Sequence, residues 1–510
     1  MRRRGDGARE TARPGIALAA ATAVLFVTFL DTTVVSVALG EIRRDLAADV
    51  TSLQWVVNAY VLVFAGLMLT GGSLGDRWGR KRVMIVGLVI FCAGSVVGAL
   101  AGSVAMLIAG RAIMGLGAAA SEPGTLSVLR HIFPDDRMRA RAIGVWAAVS
   151  GLALAAGPVL GAVLVQAYGW RSIFWLNLAI GAAALVAALW SIPESADPRV
   201  GPHDWAGSLL GAIFLGSWVY AATLGGDRGF TAPAVIALFT LGAVALAGFV
   251  AVESRARAPM LDFRYLRLPA VRGALMVAFA VYFGVFSIFF FTALYLQVVQ
   301  SYSNAHTAAV FTPMAVAIVA GSLTAGFWVA GRAARPPMFL GCALGAAGIL
   351  LTRHVLAGPL HDVPLAAAMA LAGFGFGTAV VPLTSAVLSG VPAEHSGMAA
   401  AATNTMRQVG SAVGVAVLGA LVNLYLTADL KALMSGFGLP TALQPGAIDV
   451  VERGRVPPGA DMTPYLPYLS KLSDVINAGK AAFHHGLDVA LLVSAILILA
   501  AAVVSAFDRS

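Results

Sequence analysis

Fourteen mostly apolar stretches, each of roughly 20 residues or more, follow one another along this 510-residue chain. In lipid the backbone must satisfy its own hydrogen bonds, so stretches of this length predict α-helices that cross about 30 Å of hydrocarbon. They lie near 15–40, 53–74, 82–101, 103–129, 140–167, 171–190, 205–224, 231–252, 270–297, 306–331, 336–357, 363–389, 397–425 and 484–506. The sequence therefore predicts an all-α polytopic membrane protein with 14 spans.

The composition agrees with a membrane protein. Hydrophobic residues make up 59% of the chain and charged residues only 12%, whereas soluble domains carry about 25% charge. The net charge of +9 could suggest a nucleic-acid partner, but the bases cluster at helix ends and form no aromatic-rich basic domain. We therefore expect no nucleic-acid partner, and because no metal-ligand spacing occurs, we expect no metal.

The distribution of Lys and Arg predicts the orientation of the spans. If the N-terminus lies inside, the inner segments carry 22 of the 34 bases and the outer segments carry ten. Positive residues in short loops resist translocation, so this asymmetry predicts that both termini are cytoplasmic. The Ala- and Arg-rich composition is compatible with a GC-rich bacterium, and the cytoplasmic (inner) membrane is the expected location.

A short basic loop, Gly72-Ser-Leu-Gly-Asp-Arg-Trp-Gly-Arg-Lys-Arg82, joins the second and third stretches. It resembles the loop between helices 2 and 3 of the major facilitator superfamily, with the pattern G-x-L-x-D-R-x-G-R-K-x. The resemblance implies that Asp76 pairs with a base or a helix end in the other half of the protein and closes the inner side. The residues of this conformational latch are Gly72, Gly75, Asp76, Arg77, Gly79 and Arg80. The alternative is a topology anchor, which would need only the bases.

Two weak internal repeats support two bundles of six helices. Arg77-x-x-Arg80 recurs as Arg332-x-x-Arg335, and Gly115-x-Gly117 recurs as Gly375-x-Gly377. Parallel repeats are typical of this transporter architecture, with the substrate site between them near the midplane. We expect a cytoplasmic tail (1–14), an N-terminal bundle (15–195), two inserted helices (200–255) and a C-terminal bundle (265–510) with an extracellular loop at about 426–483.

Asp31 lies inside the first stretch, where a charge costs a few kcal/mol or more and therefore requires a partner or a function. The segment Phe29-Leu-Asp-Thr-Thr-Val-Val-Ser-Val-Ala-Leu39 resembles the helix-1 signature of the drug:proton antiporter family with fourteen transmembrane helices. A carboxyl group in a low-dielectric cavity has a raised pKa, which allows reversible protonation. Asp31 is therefore a proton-coupling or helix-orienting acid, or an acid satisfied by neighbouring Thr hydroxyls with a structural role only.

Arg111 and Glu122 are eleven residues apart, so they lie on one helix face about 16 Å apart along the axis. Arg111-Ala-Ile-Met-Gly-Leu-Gly-Ala118 resembles the family motif R-x-x-x-G-x-G-A, which implicates Arg111 in proton transfer. Because arginine stays protonated, Arg111 would tune a nearby acid or water. We expect Glu122 to exchange protons or attract a cationic substrate; the alternative is a glutamate that reaches the cytoplasmic face or pairs with a loop base.

The fifth stretch contains Gly157-Pro158-Val-Leu-Gly161. Small residues allow close helix approach, and a Gly-Pro step bends the axis. The segment resembles the antiporter motif G-P-x-x-G-G, although Ala162 replaces the last glycine. Within the superfamily the motif is associated with exporters, so Gly157, Pro158 and Gly161 favour export.

Polar residues of the later stretches are candidates for a substrate cavity. Asn404, Arg407, Gln408 and Ser411 have the spacing i, i+3, i+4 and i+7 and therefore form a stripe along one helix face. The stripe lines a cavity or forms a structural hydrogen-bonded seam. Tyr295 and Gln297, which end the ninth stretch as in relatives, are assigned to the same cavity together with Glu122.

The combined pattern predicts a proton-coupled exporter of hydrophobic, cationic or amphipathic compounds that works by alternating access. Its expected partners are these substrates, protons and membrane lipids, and its energy source is the proton gradient without a cofactor. An exporter of an endogenous lipid, a siderophore or a self-made antibiotic is the alternative. A membrane enzyme is a remote third possibility, because His484 and His485 have no acidic partner at useful spacing before Asp488.

Overall fold

The computed structural model describes residues 14–48, 50–196, 204–256, 259–436 and 472–507, which form helices and connecting turns without strands. Fourteen long helices run through these ranges. They are α1 (Pro14–Asp45), α2 (Val50–Trp78), α3 (Arg80–Ala99), α4 (Val104–Ile132), α5 (Asp136–Tyr168), α6 (Ser172–Ser191), α7 (Trp205–Arg228), α8 (Pro233–Glu253), α9 (Pro269–Phe286), α10 (Asn304–Val329), α11 (Arg335–Leu356), α12 (Asp362–Ser389), α13 (Ser396–Gly436) and α14 (Leu472–Phe507). The described residues also include short helices at Phe263–Leu266 and Ala393–His395.

Each of the fourteen predicted stretches overlaps one of these helices. Thirteen helices in the described ranges are long and apolar enough to cross a membrane, judged by length and composition. The remaining one, α5, has 33 residues, enough for about 50 Å of helix. The prediction of an all-α membrane protein is confirmed, whereas the total of fourteen spans stays a prediction.

Helix ends differ from the predicted stretches most strongly around the long segment 426–483. Helix α13 continues to Gly436 and α14 begins at Leu472, so helix occupies both edges of that segment. Hydropathy shows where the apolar residues end. The backbone hydrogen bonds of a helix can continue beyond that point through helical turns made of polar residues. The expected loop at 437–471 and the expected tail at 1–13 lie outside the described residues.

The helices form two bundles and an inserted pair. In the first bundle α1 packs on α5 and α6, and α4 packs on α2 and α3; in the second α12 packs on α10 and α11, and α9 and α14 pack on α13. Helices α7 and α8 pack on each other, and α7 also contacts α2 and α13. The predicted architecture of two six-helix bundles with two inserted helices is therefore confirmed.

The bundles meet through α2 and α4 on α13, and through α5 on α10 and α12. Glycines allow this close contact: a Cβ on Gly144 of α5 would lie 3.0 Å from the Gly326 Cα of α10. Beyond α9 the chain continues in helical turns to Val299, with π-helical segments at Ser287–Phe291 and Tyr295–Val299. Helices from both bundles thus line one shared interface, which contains the polar residues described next.

Candidate functional site

Asp31 and Arg111 form an ion pair inside the N-terminal bundle, and both side chains are fully buried. The other Asp31 oxygen, Oδ1, accepts a hydrogen bond from Asn177 Nδ2 at 2.7 Å. Arg111 Nε also donates to the Val56 carbonyl at 2.9 Å. The pair therefore ties α1, α2, α4 and α6 together at one polar point.

Tyr60 completes this first cluster. The Arg111 guanidinium lies 4.5 Å from the centre of the Tyr60 ring, and the Tyr60 hydroxyl donates to the Thr28 carbonyl at 2.8 Å. A cation over an aromatic face is stabilised by the ring quadrupole. The ring thus stabilises a guanidinium whose Nη2 is buried without a hydrogen-bond partner among the described residues.

The partners of Asp31 correct the alternative in which neighbouring Thr hydroxyls satisfy this acid. The Thr32 hydroxyl donates to the Thr28 carbonyl at 3.0 Å, and the Thr33 hydroxyl donates to the Leu30 carbonyl at 3.3 Å. Hydroxyls in a helix readily bond the carbonyl one turn earlier. Asp31 instead receives its hydrogen bonds from distant parts of the chain.

A second cluster joins the two bundles, and we call Glu122, Asn404, Arg407 and Thr384 the interbundle cluster. Asn404 Nδ2 of α13 donates to Glu122 Oε2 of α4 at 2.6 Å. Arg407 Nη1 donates to Asn404 Oδ1 at 3.2 Å, and Arg407 Nη2 donates to Thr384 Oγ1 of α12 at 2.9 Å. The Asn404 amide therefore connects an acid of one bundle with a base of the other.

The interbundle cluster is buried, and two aromatic rings flank its arginine. Glu122 is 1% exposed, and Asn404 and Arg407 are each 3% exposed. The Arg407 guanidinium lies 5.1 Å from the Trp146 ring centre and 5.3 Å from that of Tyr282. Glu122 Oε1 and Arg407 Nε are buried, and neither has a hydrogen-bond partner within the described ranges. The free Glu122 oxygen can therefore accept a proton or a hydrogen bond, and the Arg407 N–H can donate to a water or to a polar group of a ligand.

Thr125 links Trp146 to the backbone of Glu122 through two hydrogen bonds. The indole Nε1 of Trp146 donates to Thr125 Oγ1 at 3.0 Å, and this hydroxyl donates to the Glu122 carbonyl at 2.7 Å. The hydrogen bonds hold the Trp146 ring at the turn of α4 that carries Glu122. The aromatic side of the cluster is therefore positioned by hydrogen bonds as well as by packing.

Arg111 and Glu122 contact different neighbours although both project from α4. Their separation of about 16 Å along the axis brings Arg111 to α1 inside one bundle and Glu122 to α13 across the interface. The alternative in which Glu122 reaches the cytoplasmic face or pairs with a loop base is wrong, because its partner is Asn404.

The other residues assigned to the cavity lie apart from the interbundle cluster. Gln408 is partly exposed and makes none of the cluster's hydrogen bonds. The Tyr295 hydroxyl accepts from Gln300 Nε2 at 2.9 Å and its ring stacks on Phe483 of α14, while Gln297 is exposed. Tyr295 therefore packs on α14 and not on the interbundle cluster, and Gln297 makes none of the cluster's hydrogen bonds.

Asp76 of the basic loop contacts the N-terminus of α13 in the opposite bundle. Its two oxygens accept from the backbone N–H groups of Gly397 at 2.9 Å and Met398 at 2.8 Å. Arg80 pairs with Asp76 at 2.8 Å and donates to the carbonyls of Ala393 and Glu394 at 3.0 and 2.9 Å. An acid at a helix N-terminus is stabilised by the helix dipole. The basic loop thus contacts the other bundle in the way a latch requires.

Further contacts join the bundles on the same side. Arg130 at the end of α4 donates through Nη1 to the Leu388 carbonyl and through Nη2 to the Val391 carbonyl at 2.5 Å. Arg139 donates to Ser389 Oγ at 3.2 Å. The bundles are therefore in contact on the basic-loop side in this structure.

At two positions of the basic loop the structure explains why the residue is glycine. A Cβ on Gly72 would lie 2.9 Å from the Gly397 carbonyl, so only glycine permits the close approach of α2 to α13. Gly79 has φ +108°, which favours glycine at the break between α2 and α3. Gly75 instead faces open space, and Arg77 interacts with acids near the inserted helices.

The glycines of the antiporter motif lie where α5 touches α1. A Cβ on Gly157 would contact the Thr33 hydroxyl, and one on Gly161 would lie 3.0 Å from the Val34 carbonyl. Pro158 lies between them within α5. The motif therefore packs two helices of one bundle tightly, close to the helix turn that carries Asp31.

Sequence reasoning missed several residues that complete the two clusters. Asn177 could have been found, because it is a polar residue at the end of Trp170-Arg-Ser-Ile-Phe-Trp-Leu-Asn177 within an apolar stretch. Tyr60, Trp146 and Tyr282 carry no comparable signal, because nothing in the sequence distinguishes them from other buried aromatics. No group of three His, Cys, Asp or Glu side chains in the described ranges could hold a metal ion.

Similar proteins agree on the class of molecule. The chain is 32% identical over 471 residues to the multidrug resistance protein Stp of Mycobacterium tuberculosis, covering 92% of this chain and 87% of the relative. It is 34% identical over 444 residues to the methylenomycin A resistance protein of Bacillus subtilis, covering 86% and 94%. It is 32% identical over 505 residues to the tetracenomycin C resistance and export protein of Streptomyces glaucescens, covering 96% and 91%.

Solved structures show the same fold at low sequence identity. The human organic anion transporter MFSD10 superposes with a TM-score of 0.60 at 14% identity, covering 95% of this chain and 97% of that one. The proton:xylose symporter XylE superposes with a TM-score of 0.59 at 16% identity, covering 96% and 94%. The family model described as Major Facilitator Superfamily matches residues 21–415. This chain therefore belongs to the major facilitator superfamily.

Proposed function

We propose that this protein exports hydrophobic, cationic or amphipathic small molecules from a bacterial cytoplasm in exchange for protons, by alternating access of its two bundles. Multidrug and antibiotic resistance proteins among its relatives support the substrate class. The observation that carries the proposal is the buried hydrogen bond from Asn404 to Glu122, because it places an acid at the contact between the bundles. Both termini are cytoplasmic in this proposal, and the apolar outer faces contact membrane lipids.

Glu122 would exchange a proton for a substrate cation. A buried carboxylate binds a proton or a cation more readily than one in water, because either removes an unfavourable buried charge. A cationic substrate that enters from the inside would displace the proton on Glu122, and a proton that enters from the outside would displace the substrate. Asn404 would then re-form its hydrogen bond with the vacated carboxylate, while Arg407 donates to the Asn404 amide oxygen.

Asp31 and Arg111 would support this exchange from within the N-terminal bundle. Their ion pair links four helices, and the Tyr60 ring lies against the Arg111 guanidinium. Protonation of Asp31 would weaken the pair and release α1 from α4. Asp31 therefore acts in the proposal either as a second proton acceptor or as a helix-orienting acid.

The basic loop would act as the latch on the inner side. Asp76 and Arg80 bind the turn between α12 and α13, so they favour the state in which that side is closed. Opening to the cytoplasm would break these hydrogen bonds, and opening to the outside would leave them intact. The rocking of one bundle against the other thereby alternates access to the interbundle cluster.

The test is substrate-driven proton flux in proteoliposomes that enclose a pH-sensitive dye. We expect cationic dyes to drive proton movement with the wild-type protein and not with Glu122→Gln. Glu394→Gln is the matched control, because the Glu394 side chain is exposed on the connecting turn. An absence of proton movement for every compound in a diverse panel, with sealed vesicles and folded protein, would reject the proposal.

A second candidate cargo is an antibiotic made by the same cell, or another endogenous product such as a lipid or siderophore. A relative from Streptomyces glaucescens, the tetracenomycin C resistance and export protein, favours the antibiotic. Deletion of the gene would then remove one secreted metabolite from the medium and leave tolerance to synthetic dyes unchanged. Lost dye tolerance with an unchanged profile of secreted compounds would support the multidrug exporter instead.

A further inference from the structure

Two carboxyl groups lie together at the basic-loop ends of the inserted helices. Asp204 precedes α7 and Glu253 ends α8, and Glu253 is only 2% exposed. One oxygen of each is satisfied by a backbone N–H: Asp204 Oδ1 accepts from Gly207 at 2.8 Å, and Glu253 Oε2 accepts from Leu261 at 3.0 Å. The backbone therefore fixes the orientation of both carboxyl groups.

The two remaining oxygens face each other. Asp204 Oδ2 and Glu253 Oε1 are buried and have no hydrogen-bond donor among the described residues. They lie 2.7 and 2.5 Å from the same point, the position that a Cβ on Gly207 would occupy. Both oxygens therefore border the same small space beside Gly207, so the two carboxyl groups are close neighbours.

Two carboxyl oxygens in this position cannot both be ionised at low energetic cost. Neither can donate a hydrogen bond unless one of them carries a proton, and two like charges on buried, neighbouring oxygens repel each other. A single proton between the oxygens removes one charge and supplies the missing hydrogen bond. The glycine at position 207 leaves space for this contact, since any side chain there would separate the oxygens.

We propose that Asp204 and Glu253 bind one proton between them and form a protonation site on the basic-loop side, separate from Asp31 and Glu122. An open cavity of about 430 Å³ is lined by Asp204, Val252 and Arg255. The site therefore has access to water on that side. The interbundle cluster, by contrast, is buried.

The charges around the pair connect it to the basic loop. Arg77 of α2 interacts electrostatically with Asp204, with Glu253 and with the latch residue Asp76. Arg255, two residues beyond α8, lines the cavity beside Asp204. With one proton bound the pair carries a single negative charge towards Arg77, and without it the pair carries two. Cytoplasmic pH would thus change the attraction between the inserted helices and the end of α2.

The test is infrared titration of the purified protein, recording the carbonyl stretch of protonated carboxyl groups. We expect a band of this kind near neutral pH in the wild type that Glu253→Gln removes and Glu122→Gln leaves in place. In Asp204→Asn we expect the remaining carboxyl group to lose its proton at a pH lower by about one unit or more, because the like charge is gone. Glu194→Gln is the control, since Glu194 lies on the same side but is partly exposed.

A band and a titration midpoint that are the same in wild type, Glu253→Gln and Asp204→Asn would overturn the proposal. If Glu253→Gln does not fold, the pH dependence of Tm decides. Stabilisation by a shared proton is present at low pH and is lost as pH rises through the titration of the pair. Asp204→Asn should flatten this decline, and an unchanged decline would contradict the shared proton. Neither readout involves transport, so the result is independent of the proposed export function.

Discussion

Asn404 is the residue through which the acid and the base of the interbundle cluster are connected. Its amide donates to Glu122 Oε2 at 2.6 Å and accepts from Arg407 at 3.2 Å. An amide can serve both neighbours at once because it has a donor and an acceptor end. In the proposed mechanism, a substrate or proton that neutralises Glu122 would therefore change the contact of the two bundles directly.

Glu122→Gln should reduce export of dicationic dyes more than export of monocationic dyes. The substitution removes a buried negative charge whose attraction to a cation at close range is about 4 kcal/mol in a protein-like dielectric, so we expect a loss of about tenfold or more for dications. Dye efflux from cells that express equal amounts of protein measures this difference. Equal losses for both dye classes would rule out charge recognition by Glu122.

The contributions of Asp31 and Arg111 to the stability of the protein should depend strongly on each other. Removing one partner from a buried pair leaves an uncompensated charge and costs about 3–5 kcal/mol, so Asp31→Asn and Arg111→Gln should each lower Tm markedly. The double variant should lose less than the two single losses added together. Thermal unfolding in detergent measures all four proteins of this cycle, and additive losses would show that the two side chains act independently.

Helix ends determine how the bundles contact each other on the basic-loop side. The N-terminus of α13 is capped by Asp76 and the C-terminal end of α12 by Arg130, so each helix dipole meets a charge of opposite sign from the other bundle. These contacts involve backbone groups and depend on helix position rather than on side-chain identity. The turn between α12 and α13 is therefore the element that the latch recognises.

Asp76→Asn should open the basic-loop side more often. A charge at a helix N-terminus contributes about 1 kcal/mol, which corresponds to a several-fold shift of the equilibrium. Ser127→Cys with Ser396→Cys reports the closed state, because the two hydroxyl oxygens lie 3.2 Å apart across the interface. The cross-linking rate should fall several-fold in Asp76→Asn, measured with Cys92 and Cys342 replaced by serine.

Gly102→Ala, in the turn between α3 and α4, is the control for this cross-linking experiment. Nothing lies within 4 Å of the position that its Cβ would occupy, so the rate should match that of the parent protein. A rate that Asp76→Asn leaves unchanged would show that the acid does not hold the bundles together.

At the scale of the whole molecule, the apolar stretches predicted the helices, and membership of the family confirms a transporter rather than an enzyme. Hydropathy depends on residues that are neighbours in the sequence. The backbone of a membrane helix makes its hydrogen bonds within that helix, so local sequence is enough to predict the helices. The contact of Glu122 with Asn404 joins residues 282 positions apart, so no local pattern reveals it. Trp146 and Tyr282 were missed for the same reason, whereas Asp31 and Arg111 were found because charges are rare in apolar stretches.

The most direct test of proton exchange at Glu122 is the release of protons when a cationic substrate binds to the purified protein in weakly buffered detergent solution. We predict that the wild type releases protons on binding, and that Glu122→Gln binds more weakly and releases fewer. Glu394→Gln should behave as the wild type. Unchanged proton release in Glu122→Gln would contradict the exchange of a proton for a substrate at the contact between the bundles.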